Sequence, residues 1–311
     1  MKKTILVLWT AMLLSVLSVS AQPPIRVMIL DGETNPYHRW EVNTPIIKKI
    51  LAEPKKFVVD VVTAPPKDGD FSKFMPKFTD YQVVVLNYDA PTERWPEALK
   101  KSFEQYMANG GGLVTIHGAN NAFPEWREFN KMIGVGGWRD RNEQSGPHWY
   151  YKDGKLVSDT KPGSAGSHGS RLPFQMKVVN SDHPITKGLP PVWMHHGDEL
   201  YAHLRGPGEN MTVLVTAYSD KNNKGSGYDE PQLMVLSYGK GRIFHYTPGH
   251  DATGMSSVDY VVLLQRGTEW AATGKVTQKV PTNFPTANTV SYRVDIAGMA
   301  PADGAQPGTG K

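Results

Sequence analysis

Imidazoles and carboxylates are the reactive groups this chain has to offer. It carries ten histidines and no cysteine, which excludes disulfides, thiolate nucleophiles, Cys-ligated zinc and iron–sulfur clusters. The histidines and acids recur in a pattern. Four short apolar runs, Ile25–Leu30, Gln82–Leu86, Leu113–Ile116 and Arg242–Tyr246, each stop at polar residues. Asp31, Gly32, Glu33, His38 and Trp40 follow the first run, and Asn87, Tyr88 and Asp89 the second. His117, Asn120 and Asn121 follow the third, with Trp126 nearby, and Thr247, Gly249, His250 and Asp251 follow the fourth. Any one of these has a plain structural reading as a turn cap, a surface group or a core ring. Their recurrence after successive strands points to a site.

Two chemistries suit these residue types. Neutral imidazole is a general base near pH 7, and His with carboxylate holds zinc or another divalent first-row cation. The expected catalytic residues are His117, His250, Glu199 and Asp251. The expected metal ligands are His38, His117, His196, Glu199 and His250, with zinc or manganese as the ion, so three residues compete for two roles. Trp40, Asp89, Asn120 and Trp126 are expected to bind substrate, because indole stacks on the apolar face of a pyranose and polar side chains bond its hydroxyls. The run Trp193-Met194-His195-His196-Gly197-Asp198-Glu199-Leu200-Tyr201 is a second concentration of donors. Its spacing matches no standard metal motif, and its plain reading is a polar turn before an apolar strand. No H-E-x-x-H, EF-hand loop or G-x-S-x-G elbow is present, and Gly110-Gly111-Gly112 precedes a strand, so it cradles no nucleotide.

The elements that must position these groups alternate. Thr44-Pro45 reads as the start of a helix, Thr as its cap and Pro at its first position; Ile46, Ile47, Ile50 and Leu51 recur at helical spacing. Phe57–Val62 is a strand. Pro96–Met107 is a helix closed by Asn109-Gly110. This β-α-β-β-α-β order with apolar strands predicts a parallel sheet covered on both faces, whose ligands bind beyond the carboxyl ends of its strands. Residues 134–170, rich in Gly, Ser, His and Trp, read as a long excursion over the sheet. Phe174–Val179, Met211–Ala217, Leu233–Tyr238 and Arg242–Tyr246 are further strands, the last two a hairpin about Gly239-Lys240-Gly241. Ser256–Ala272 is an amphipathic helix. One domain is expected over 24–274, followed by a loose tail over 275–311.

Lys2 and Lys3, the apolar stretch Ile5–Val19 and Val19-Ser20-Ala21 before Gln22 form a secretory signal pattern over residues 1–21. The expected location is periplasmic or secreted, with no membrane span after cleavage. The formal net charge is only +4, and two of the positives lie in the leader, so no nucleic-acid surface is indicated.

With these residues in place the chain resembles the ThuA family, named for trehalose utilisation. The stretches that carry the resemblance are Asn109–Ala119, Ser181–Leu189, Asp198–Tyr201, Tyr238–Asp251 and Arg266–Trp270. It implies an α/β fold similar to class I glutamine amidotransferases: a flavodoxin-like three-layer sandwich with a mainly parallel central sheet plus a C-terminal β-hairpin. Those enzymes carry a cysteine on the sharp turn after a central strand. Here that turn carries His117, and a chain without cysteine does no amidotransferase chemistry. The resemblance also implies metabolism of trehalose-like disaccharides, including routes through 3-keto-sugars, with recurring polar positions at His38, His117, Glu199 and His250 and Asp251 adjacent. Two readings stand. One is an exported enzyme cleaving a glycoside or 3-keto-glycoside by His-based acid/base chemistry with a divalent metal and no nucleotide cofactor, either as a lyase or as a hydrolase built on Glu199 with Asp251 or Asp31. The other is a non-catalytic carbohydrate-binding protein. The partner in both is a small carbohydrate, and self-association into a homo-oligomer is left open.

Overall fold

The computed structural model describes residues 23–300; the leader expected over 1–21 and the last residues of the expected tail lie outside them. In the first half, strand β1 (Ile25–Asp31) is followed by helix α1 (Trp40–Ala52), β2 (Phe57–Thr63), β3 (Val83–Leu86), α2 (Glu97–Ala108), β4 (Gly112–Ile116) and α3 (Arg127–Ile133). Six strands come next: β5 (His148–Lys152), β6 (Lys155–Asp159), β7 (Leu172–Val178), β8 (Val192–Asp198), β9 (Thr212–Tyr218) and β10 (Asp229–Tyr238). The order closes with β11 (Gly241–Tyr246), α4 (Ala252–Ser256), α5 (Val258–Thr273) and α6 (Val294–Ala297). All eleven strands form one sheet in the order β2-β1-β3-β4-β11-β10-β9-β7-β8, with β5 paired to β10 and β6 to β5.

The parallel strands β1, β3 and β4 are mostly apolar because both faces of the sheet are covered there. Val27 and Ile29 of β1 pack with Ile46, Ile47, Ile50 and Leu51 of α1 and with Leu263 and Leu264 of α5. Met28 and Leu30, pointing the other way, pack with Leu99, Phe103 and Met107 of α2 and Phe129 of α3. The helical spacing of the α1 isoleucines therefore reports a real core face.

The expectation of a mainly parallel sheet is overturned. Pairing is parallel only among β2, β1, β3, β4 and β11, and six of the ten strand pairings are antiparallel. The reason is connectivity: no α-helix lies between β5 and β11, and a parallel neighbour needs a long, usually helical crossover. The fold is mixed α/β.

Three local expectations also change. Helix α1 starts at Trp40 and holds Pro45 in its interior. Thr44 is no cap; it is buried and accepts a hydrogen bond from Asn87 Nδ2 at 3.0 Å. The excursion over 134–170 is not structureless, since β5 and β6 form a hairpin within it. The chain beyond Gly274 is held against the body at least to residue 300: Met194 N–H donates to the Thr286 carbonyl, Val258 N–H to that of Ser291, and Ile296 is fully buried. Among the described residues no helix is long and apolar enough to cross a membrane.

Candidate functional site

Beyond the ends of β1, β4, β8 and β11, four side chains converge. His38, His117, Glu199 and His250 are all buried and offer one ligand atom each within 4.8 Å of the others. His117 is the hub. It sits directly after β4 with φ +43°, a left-handed conformation that costs a non-glycine residue about 1–2 kcal/mol and turns the imidazole into the site. Its Nδ1 donates to the Thr247 carbonyl at 2.7 Å, so in the neutral ring Nε2 carries the lone pair. That atom faces His38 Nε2 at 3.1 Å, His250 Nδ1 at 3.2 Å and Glu199 Oε2 at 3.4 Å. His250 Nδ1 is itself 3.2 Å from Glu199 Oε2. Donor atoms this close need protons or a cation between them. Zinc–ligand bonds of about 2.0–2.1 Å in a tetrahedron put the donors about 3.3 Å apart, close to the spacing of the four pairs that involve His117 or join His250 to Glu199.

Burial and close neighbours shift three of these groups in different directions. Burial, then the neighbouring His117 and His250, push His38 well below the usual histidine range. Burial also opposes charge on His250, but hydrogen bonding and attraction to Glu199 outweigh it and raise its pKa. Glu199 is held low: burial works against its charge, and His117 and His250 overcome it. Glycine makes the approach feasible, since a Cβ on Gly118 would lie 2.5 Å from His38 Nδ1.

A network of buried charge fixes the walls. His195 lies between Asp198 (3.1 Å) and Asp259 (2.8 Å). Burial opposes its charge, but the two carboxylates prevail and raise its pKa to about 10. Asp198 also accepts from the backbone N–H groups of Gly249 (2.7 Å) and His250 (3.1 Å), which sets the His250 loop. Asp259 accepts from Trp193 Nε1 and Ser257 Oγ.

The remaining expected residues lie elsewhere. His196 is not in the group: adjacent residues on a strand point to opposite faces, so with His195 turned inward, His196 stacks on Tyr292 at 4.8 Å. Asp251 caps α4 through the N–H groups of Thr253 and Gly254 and pairs with Arg171. Trp126 belongs to an aromatic core with Trp95, Phe123 and Phe129 and donates to Glu104. Trp40 is half-buried at the start of α1. Asn120 donates to His245 Nε2 in the interior. Asp89, buried, accepts from Arg139 Nε (2.7 Å) and from Asn35 Nδ2 (3.1 Å), whose other contact is His38 Nδ1 (3.0 Å); it braces a site residue from behind. Asp31 is buried with neither carboxylate oxygen hydrogen-bonded, and burial raises its pKa.

Two residues at the site were not singled out by spacing. Tyr201 Oη lies 2.8 Å from His117 Nε2 and 3.3 Å from His38 Nε2; its signal was its place two residues after Glu199. His168, exposed, comes from the excursion, with Nε2 3.6 Å from Glu199 Oε1. Its Nδ1 donates to the Gly169 carbonyl, which leaves Nε2 as the free acceptor. Trp138 packs against Tyr201 and close to Gly166. To reach that place Trp138, Arg139 and Asp140 all adopt left-handed backbone, φ +54°, +49° and +60°.

The fold and site thus define a mixed α/β protein with a buried three-histidine, one-glutamate cluster at a strand-end edge. The chain belongs to the ThuA family, described as trehalose utilisation, which it matches over residues 26–271. It is similar to a ThuA-like protein from Parabacteroides merdae ATCC 43184: 47% identity, TM-score 0.84, covering 88% of this chain and 99% of that one. A ThuA-like protein from Bacteroides uniformis ATCC 8492 shares the fold at 22% identity and TM-score 0.53, covering 83% and 95%. No curated protein matches the chain.

Proposed function

We propose that this protein is an exported, metal-dependent enzyme of carbohydrate processing that cleaves a glycoside, most simply a 3-keto-glycoside, by acid/base chemistry. The convergence of His38, His117, Glu199 and His250 on one point carries the reading, and the family's link to trehalose utilisation supports the substrate class. These four residues would hold the cation. When bound, a divalent cation stabilises negative charge on a ketone or enolate oxygen.

The geometry supports a division of labour that the sequence left open. With His117 and His250 engaged as ligands, His168 is the imidazole at the rim with a free nitrogen, and it is the base in this reading. A ketone at C3 acidifies the C2 hydrogen. His168 Nε2 takes that proton, the C2–H electron pair forms the C1–C2 double bond, and the C1–O bond breaks with its electrons going to the leaving oxygen, which takes up a proton. Tyr201 Oη, buried beside His117, is the hydroxyl donor nearest that centre.

The test is elemental analysis of the purified protein and of His117→Ala, with both incubated with a 3-keto-disaccharide and product followed by chromatography. The expected result is a near-stoichiometric first-row metal and cleavage in the wild type, both lost in His117→Ala. A chain that stays metal-free after incubation with zinc and manganese and leaves the sugar intact sinks the reading; retained sugar binding in such a chain would establish a binding protein instead. Export is checked by N-terminal sequencing of protein recovered outside the cytoplasm, which should begin at Gln22.

A further inference from the structure

We propose a second divalent-cation site, separate from the first, formed by His148, His203 and Glu230. The three ligand atoms lie within 4.8 Å of one another and come from three segments: the start of β5, the loop after β8 and the start of β10. His148 is 5% and Glu230 1% exposed, and His203 is half-buried.

Two observations go beyond proximity. The Glu230 carboxylate is buried in a sheet strand, yet among the described residues its one hydrogen-bond donor is His148 Nε2, 3.0 Å from both oxygens. No lysine or arginine pairs with it among the described residues. A buried carboxylate ordinarily requires fuller compensation than a single shared proton. In addition, His203 is held at φ +57°, a left-handed backbone uncommon outside glycine, and its imidazole lies 4.9 Å from that of His148, centroid to centroid. Two imidazoles and one carboxylate with a further position open is the donor set of many three-ligand zinc sites. A cation there replaces the shared proton and supplies the charge that Glu230 lacks.

The position suggests what such an ion does. It ties the excursion hairpin, through His148, to the sheet, through Glu230, and to the segment that carries Glu199 and Tyr201, through His203. Gln232, two residues after Glu230, donates to the Tyr201 carbonyl at 2.9 Å. The ion is therefore a clamp on the wall of the first site. The inference does not rest on the catalytic reading, because the two donor sets share no residue.

The experiment is zinc titration of the metal-stripped full chain, with bound zinc counted by mass spectrometry and thermal unfolding followed in parallel. The wild type should bind about two ions per chain, and His203→Ala and His117→Ala about one each. Zinc should still raise the Tm of His117→Ala and should not raise that of the double variant. His203 is partly exposed, so its replacement leaves the core intact; circular dichroism checks this. Zinc content unchanged between wild type and His203→Ala overturns the second site. One ion in the wild type that His203→Ala removes and His117→Ala does not supports it and removes the metal from the proposed function.

Discussion

Replacing one hydrogen beside the hub tests the site at the scale of a residue. Gly118→Ala puts a methyl against His38, so the ring must move although no donor atom is deleted. Metal affinity should fall about 10–100-fold, as it does when a group that orients a ligand is lost, while far-UV circular dichroism stays native. Isothermal titration with zinc measures it, and unchanged affinity would show that His38 is not a ligand. His38, His117 and His250 were legible in the sequence because each follows an apolar strand in a parallel neighbourhood, where topology alone brings strand ends together. Glu199 was legible as part of a donor-rich run, but its partner His196 was misassigned, because that run is a strand and alternation sends His195 and His196 to opposite faces. Tyr201 and His168 carried no such signal: one is an aromatic after a motif and the other lies in a segment without periodicity, placed by tertiary packing.

At the scale of the element, the joint between β8, the His250 loop and α5 is electrostatic. The folded-state pKa of His195 is raised to about 10 from about 6.5 in an unfolded chain. The folded state therefore binds the extra proton between these values, and stability falls as pH rises through that window. Asp198 and Asp259 are shifted down: burial works against their charge, but His195 overcomes it. Their contribution is present above the ordinary carboxylate range and fades as the solution is acidified below it. The urea midpoint should decline steadily from pH 6.5 to 10 in the wild type, and His195→Gln should start lower and decline less. Parallel curves for the two proteins would refute the assignment. The parallel strands β1, β3 and β4 could be read from sequence because they are short and mostly apolar. β5, β6 and β8 could not, since His, Lys, Trp and Gly fill them and their strand character comes from pairing.

Across the whole molecule, composition misled about where the folded body ends. Pro, Thr and Gly after residue 274 suggest a free tail, yet Thr286 and Ser291 take backbone hydrogen bonds from β8 and the start of α5, and Ile296 joins the core. The same segment places Tyr292 on His196. A chain ending at Gly274 should therefore unfold at lower temperature than the full chain, and Ile296→Ala should by itself cost about 2–5 kcal/mol in denaturant unfolding. An unaltered transition in both would mean the segment contributes nothing to stability.

The left-handed run Trp138–Arg139–Asp140 sets local stability against the shape of the wall behind Tyr201. Its conformation is unfavourable residue by residue and persists because Trp138 packs against Tyr201 and Gly166 and Arg139 is anchored on Asp89. Substitutions that relax this backbone would be favoured by any selection for thermal robustness alone, and they would loosen the wall behind Tyr201 as they did so. The run can then last only while function selects for it, and a homologue freed from that function is the place to find it straightened.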